Sequence, residues 1–341
     1  MRLRLVMVLA STLAAAGCGH GGTSRLAAPG TTPTVPDSDA VLLGSLAGLA
    51  IFPADNWWNQ DITGAPLDSG SARYIAWIDG ASGGGSGSPR HLHPDFGPPP
   101  YGFPFVVVAG SQALERVVFD PYGAESDSGA PGRPAGYPIP GIARTAANWI
   151  EGAEPGGGTG GDRHLLIVDR DHHLLFETWA TSWNASTGHW TAGSGATFDL
   201  ASNTRRADAW TSADAAGLAI LPGLVRYDEI GGPITHAFRV TLRATNGRAY
   251  PASHAAGSTA GALPMGARLR LKASKDLSGY TPEVQRIFHA MQTYGLIVAD
   301  NGSDMYISGT MDARWNNDVL NPAFASLSSD DFDVIQLGWR P

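Results

Sequence analysis

The chain has 341 residues, a formal net charge of −8, one cysteine and only two lysines, Lys272 and Lys275. A mildly acidic chain so poor in lysine argues against a nucleic-acid binder. The lone cysteine, Cys18, excludes an intramolecular disulfide, and its place near the head of the chain leaves no thiol for a zinc site or a nucleophile in the domain that follows.

The opening "MRLRLVMVLASTLAAAGC" sets two arginines before an apolar run and small residues before Cys18, the order of a secretory signal peptide over residues 1–17. The apolar run is too short for a stable membrane span. "AAGC" resembles the lipobox of bacterial lipoproteins, with Ala15 where that pattern prefers leucine. The resemblance implies that Cys18 is lipidated and becomes the mature N-terminus; the alternative is an ordinary signal peptide with a chance cysteine. Losing Arg2 and Arg4 with the leader takes the formal charge from −8 to −10. Residues 19–36 are mostly Gly, Thr, Pro and Ala, a flexible tether, and residues 37–50 read as more tether or a short helix. Residues 18–50 therefore link a lipid to a single β-rich domain over 51–341, which begins at "IFPADNWWNQDI". The expected location is outside the cytoplasm at the bacterial cell envelope, with the membrane touched only through the lipid.

Within the domain "SARYIAWI" (71–78) reads as a short helix. Gly80, Ser82 and Gly84 fit GxSxG but lie in "DGASGGGSGS", which is no taut nucleophile elbow. "RHLHPDFG" sets His91 and His93 two apart with Asp95 close by, a weak metal signal against a bland reading of loop histidines. "FPFVVVAG" and "LERVVFD" read as strands. Long Gly/Pro-rich connections fill 80–104 and 121–161, and Gly156, Gly158 and Gly161 fit GxGxxG without the strand before and helix after that a dinucleotide site needs. "RHLLIVDR" and "HLLFETWATSW" are strands, with "DRDHH" (169–173) as the polar hairpin turn between them. Period-2 alternation puts Leu175, Glu177, Trp179, Thr181 and Trp183 on one face. A carboxylate among flat rings is what a sugar cleft uses, the rings covering the C–H faces of pyranoses. Trp57, Trp58, Trp190 and Trp210 could extend that platform, or the tryptophans simply fill a core.

The segment 197–230 is dense in polar residues and has no clear period in its first half. It is a candidate active-site loop, with Asp199, Asn203, Arg206, Asp208 and Asp214 as its polar candidates. "LVRYDEIGGPITHAFRVTLRA" (224–244) reads as a hairpin turning at Gly231-Gly232. A two-residue turn puts Glu229 and Tyr227 on the face of His236, and a three-residue turn puts Asp228 opposite it. Both registers bring an acid to a histidine in an apolar row, and burial can tune such a pair for acid–base work. The bland reading is a satisfied core histidine. "AYPASHAAG" adds His254. "ARLRLKA", "GLIVAD" and "MYISGT" are further strands, and "DNGSD" (300–304) reads as a hairpin loop. "TPEVQRIFHAMQTYG" is a helix with Thr281 as N-cap, Pro282 at N1, an apolar stripe through Val284, Ile287, Phe288, Met291 and Tyr294, and Gly295 as its stop.

Many short strands with one or two short helices predict a mainly β fold, a β-sandwich or jelly-roll-like single domain with long Gly/Pro-rich loops. "GLAILPGLVRYDEI", "ITHAFRVT", "PMGARLRLKAS" and "YGLIVADNGSDMYISG" resemble a group of secreted bacterial proteins over most of residues 51–337. The resemblance implies one extracellular domain and carries no activity and no site residue. The residues themselves point to a surface-tethered enzyme cleaving an extracellular polysaccharide. A glycoside hydrolase would draw its paired carboxylates from Glu177, Asp199, Asp228 and Glu229, with His236 and His254 at hand. A polysaccharide lyase would take His236 or Tyr227 as base and Arg226 or Arg239 to neutralise a uronate. Trp179, Trp183, Trp210, Arg226, Tyr227 and Arg239 are the candidate substrate contacts. A non-catalytic carbohydrate-binding or envelope lipoprotein would use the same aromatics and need none of the acids. No cofactor is called for, and a metal on His91 and His93 is the least favoured route.

Overall fold

A computed structural model of the chain describes residues 39–80, 87–129 and 133–341. The leader, Cys18, the tether through residue 38, and Ser82 and Gly84 of the GxSxG match lie outside the described residues. In chain order the elements begin with β1 (Val41–Leu42), α1 (Ser71–Ile78), β2 (His93–Asp95), β3 (Phe105–Val108) and β4 (Val117–Phe119). Next come β5 (Leu165–Asp169), β6 (Leu174–Trp179), β7 (Ser182–Asn184), β8 (His189–Ala192) and β9 (Ser194–Asp199). The last third holds β10 (Phe238–Leu242), β11 (Arg268–Leu271), α2 (Pro282–Thr293), β12 (Leu296–Asn301), β13 (Tyr306–Ser308), α3 (Asn317–Ala325) and β14 (Phe332–Val334). Among the described residues no helix is long and apolar enough to cross a membrane.

The strands form three mixed sheets, ordered β1-β3-β5-β6-β9, β14-β11-β12-β10-β13-β2 and β4-β8-β7. In the first sheet Phe105, Val107, Leu166, Val168 and Leu175 face a large core shared with Phe238, Val240, Leu269 and Val298 of the second sheet. Val106, Val108, Leu165, Ile167 and Phe176 face the other way, into a smaller core with Tyr137, Ile150 and Trp190. A sheet buried on both faces needs unbroken apolar runs, and "FVVV" and "LLIVD" supply them.

Several expectations are corrected here. The domain starts before residue 51: Val41 and Leu42 pair with Val107 and Val106, and Leu46 is in the large core. The 224–244 hairpin does not form. Both edges of β10 are taken, by β12 on one side and β13 on the other, so nothing remains for 224–230 to pair with. Instead Tyr227–Glu229 is a 3-10 turn, and Val225 bridges Gly309. "DNGSD" is a crossover, because β10 lies between β12 and β13. "HLLFETWATSW" is two strands in different sheets, broken at Ala180, whose φ of 55° is left-handed. Trp179 and Trp183 therefore do not share a face. A third helix, α3, carries Pro322 inside it. Proline reads as a helix breaker, which hid this element, although the Asn316 side chain caps it by accepting from the Asp318 amide at 3.0 Å.

Candidate functional site

The strongest concentration of charge in the described interior is built around Arg239. Along β10, Phe238, Val240 and Leu242 pack into the large core, so period-2 alternation turns Arg239 to the opposite face. Its cross-strand neighbour on β13, Ser308, accepts from Nη1 at 2.8 Å. Asp214 takes the other edge of the guanidinium, Nε at 3.0 Å and Nη2 at 2.9 Å, and Nη2 also reaches Asp300 at 2.7 Å. Two carboxylates thus share one guanidinium nitrogen.

Asp300 reaches that face only because β12 is irregular. Arg239 pairs with Ile297 and Val240 with Val298, but Thr241 pairs with Asp300, so Ala299 is an extra residue. Were β12 regular, Ala299 would pair with Thr241 and alternation would turn Asp300 toward the face of Val298. A bulge that re-aims one side chain is a recurrent device beside active sites. The bulged Ala299 carbonyl in turn accepts from Ala216 at 2.8 Å, which ties down the loop bearing Asp214. Gly217 lets that loop close: its φ is +71°, and a Cβ there would lie 2.0 Å from Ser253 Oγ.

Beside this triad sits a second ion pair. His164, at the head of the β5 run, is buried, with Nδ1 2.6 Å from Glu151 Oε2 and Nε2 3.1 Å from the Ala213 carbonyl, one residue from Asp214. Burial lowers the His164 pKa, but the Glu151 charge and hydrogen bond outweigh it, so the net shift is upward. Glu151 is likewise opposed by burial and nonetheless driven down by His164. The pair is therefore an imidazolium and a carboxylate. Its stabilisation is complete between the ordinary carboxylate value of 4.5 and the ordinary imidazole value of 6.5. It fades below that window as Glu151 takes up a proton, and above it as His164 loses one. Glu151→Gln should lower the melting temperature most near the middle of that window and progressively less as the medium turns alkaline; melting curves across the pH range check this.

The charged cluster opens into a cavity of about 210 Å³ whose walls include Tyr122, Asp162, Trp179, Asp214, His254 and Asp300. This is below the roughly 300–1,000 Å³ of clefts that engulf a drug-sized ligand, and suits one residue of a longer chain. Trp179 and Tyr122 form its aromatic wall, with ring centroids 6.2 Å apart. Gly193 supports Trp179, since a Cβ there would meet the indole at 2.3 Å. The indole N–H donates to Asp162 at 3.3 Å, and Ala180 N–H donates to the Asp162 carbonyl at 2.8 Å. Arg163 and Ala180, the residues after Asp162 and Trp179, both have left-handed φ, 53° and 55°. Such non-glycine backbone costs about 1–3 kcal/mol each and clusters at functional sites. Asp300, about a quarter exposed on this cavity, has its pKa raised to about 6 by burial first, against the opposing pull of Arg239 and with help from Asp214. Asp95, at the end of β2, is also raised, by desolvation opposed by Arg239 and reinforced by Glu151 and Asp162.

Of the residues singled out from sequence, Trp179, Asp214, His254 and Arg239 belong to this site, Asp214 and Arg239 as its buried centre. His254 is oriented by Nδ1 on the Ala215 carbonyl at 2.7 Å. Glu177 lies behind the site, wholly buried. It accepts from the amides of Ile220 and Leu221 at 2.8 to 3.0 Å, and burial lifts its pKa to about 7 in spite of those bonds. It caps a 3-10 turn and meets no solvent, which corrects the picture of a substrate carboxylate between rings. Trp183 belongs to the smaller core, against Trp190 at 5.4 Å and under Arg144 at 4.2 Å. Trp210 lies under Arg133 and Arg206. Asp199 is exposed and binds the Ala201 amide at 2.9 Å.

The sequence pairing of an acid with His236 has a counterpart of a different geometry. Glu229 Oε1 is 2.8 Å from His236 Nε2, Arg226 bonds both Glu229 and Asp228, and His236 Nδ1 faces the Ala237 carbonyl at 2.9 Å. Tyr227 turns away to Trp315 at 4.7 Å, beneath Arg314. Arg226, Glu229 and His236 line a larger cavity of about 500 Å³. We do not place the chemistry there, because its charges are already neutralised in pairs. Burial raises the Glu229 pKa but His236 and Arg226 pull it lower still, so Glu229 stays ionised and has no proton to give. The structure does not gather Glu177, Asp199, Asp228 and Glu229 into one cleft. Instead Asp162, Asp214 and Asp300 converge, with His164 and Glu151 behind them. Asp214 is among the polar candidates of the 197–230 segment; for His164 and Asp300 two signals were there to read, a lone histidine opening the apolar run "HLLIVD" and a lone acid closing "LIVAD".

Comparison of the chain with protein-family models, curated proteins and solved structures found no match. The site is read from its own geometry.

Proposed function

We propose that the protein is a hydrolase of an extracellular polysaccharide, acting in the cavity bounded by Asp162, Trp179, Tyr122, Asp214 and Asp300. One observation carries the reading: a carboxyl group raised to about 6, Asp300, faces an aromatic-walled cavity beside the exposed acid Asp162, with the enclosed Asp214–Arg239 pair behind it. A raised carboxyl group aimed into a cleft with a second carboxylate near it is the arrangement a general acid and its electrostatic partner use. Asp300 delivers its proton to the leaving oxygen as the glycosidic C–O bond breaks, and Asp162 supplies negative charge to the oxocarbenium-like transition state. Water adds to the anomeric carbon and returns a proton to Asp300. Trp179 and Tyr122 cover the apolar face of a sugar ring. The same two-carboxylate chemistry was the first expectation from sequence, with different acids.

The lyase alternative is weaker on this geometry, since the guanidiniums proposed to hold a uronate are spoken for, Arg226 by Asp228 and Glu229, Arg239 by Asp214 and Asp300. Layering of the five-stranded sheet between two cores supports a sandwich-like architecture for the scaffold. The leader and "AAGC" support export and a lipid at Cys18; Cys18→Ser should then move the protein from the membrane fraction to the medium.

The test of function is a panel of neutral, acidic and amino polysaccharides, following reducing-end release and the absorbance of unsaturated uronates together. Reducing ends without unsaturated product are expected. Unsaturated product would make it a lyase, and binding with no turnover a binding module.

A further inference from the structure

The charge balance of the cavity narrows what it accepts. Asp162, Asp214 and Asp300 line it together with His254, and its described lining holds no lysine or arginine. Arg239 lies beneath the wall and spends its donors on Asp214, Asp300 and Ser308. Arg163, next to Asp162 in sequence, sends Nη1 to the Gly161 carbonyl at 2.8 Å. His164 is taken by Glu151 and the Ala213 carbonyl. Once Arg239 is set against Asp214, the carboxylate of Asp162 remains in excess, joined by Asp300 whenever that acid is ionised. The Asp162 carboxylate, at an exposed position, has no ion pair among the described residues and accepts from the Trp179 indole at 3.3 Å. The wall next to it is aromatic, and an acid beside electron-rich ring faces is the combination that holds an ammonium group.

Resting on the hydrolase reading above, we infer that the cavity takes an amino sugar with a free ammonium group, seated against Tyr122 and Trp179 with Asp162 as its counter-charge. A uronate would meet the Asp162 carboxylate with no lysine or arginine among the described lining residues to offset it, and a neutral N-acetyl sugar would gain nothing from that charge. The substrate class is then a cationic polysaccharide, one de-acetylated along its length.

Calorimetric titration of the purified protein tests this without relying on turnover. The probes are an oligomer of glucosamine, its fully N-acetylated counterpart and an oligomer of galacturonate of equal length, below the pKa of the amine. The glucosamine oligomer is expected to bind about tenfold or more tighter than either, with affinity falling as salt is added. Asp162→Asn should erase that preference, and Tyr122→Ala, at an exposed position, should reduce it if Asp162→Asn fails to fold. Equal binding of the three probes, preference for galacturonate, no binding of any, or a preference that survives both variants would overturn the inference. Calcium that binds at the site and displaces the oligomer would also overturn it, by assigning the acids to a metal. Preferential binding with no cleavage would instead end the hydrolase reading and leave the ammonium site standing, while cleavage of neutral glycans without preference would do the reverse.

Discussion

Replacing Arg239 by methionine is expected to destabilise the protein by about 3–5 kcal/mol, the cost of removing one partner from a buried ion pair. The side chain is buried, and it is the partner that makes the wholly enclosed carboxylate of Asp214 tolerable. Methionine fills much of the same volume, so the loss reports the stranded charge and not a void. It also frees the Ser308 hydroxyl and removes the guanidinium that Asp300 shares. Adding Asp214→Asn to Arg239→Met should recover part of the loss, because the fully buried negative charge is then gone. Chemical denaturation of wild type, single and double variants measures both effects. A single variant as stable as wild type would mean that the Arg239 cluster is not what holds the 211–218 loop to β10.

Asp300→Asn has the opposite signature. It should reduce hydrolysis by roughly 10²–10⁴-fold, the usual contribution of a positioned general acid, while leaving stability at neutral pH unchanged or improved. The sign follows from linkage. The folded-state pKa of Asp300 is raised from 3.8 to about 6, so the ionised form is disfavoured by folding, and Asp300 weakens the fold at any pH above its unfolded value. Asparagine keeps the shape and discards the charge. Lost activity with undiminished melting temperature is the trade expected where a site stores unfavourable electrostatics for use in catalysis. Loss of both together would mean a structural role.

Much of the fold was legible because it rests on local pattern. The double-sided apolar runs of β3 and β5, the turn at 169–173 and the apolar stripe of α2 are properties of contiguous residues. What the sequence withheld was pairing and register. Nothing in 224–244 says that both edges of β10 are occupied from afar, and nothing in "LIVADN" says that Ala299 is a bulge. That bulge moves Asp300 from one face to the other, and with it the site. The link between Glu229 and His236 was foreseen for the wrong reason: the two meet through a 3-10 turn, not across a hairpin. Glu177 shows the limit of alternation, which correctly set it on the face of Leu175 and Trp179 but had no means of showing that Ile220 and Leu221 would close over it.

The most direct measurement is the pH dependence of kcat/KM for reducing-end release by wild type, Asp300→Asn and His236→Ala, on the polysaccharide that the wild type cleaves best. With Asp300 as the acid, wild-type activity should fall as pH rises through about 6, that alkaline limb should vanish with the activity in Asp300→Asn, and His236→Ala should retain the wild-type profile. Near-wild-type activity in Asp300→Asn, with His236→Ala inactive though folded, would contradict the assignment and move the chemistry to the cavity of Glu229 and His236.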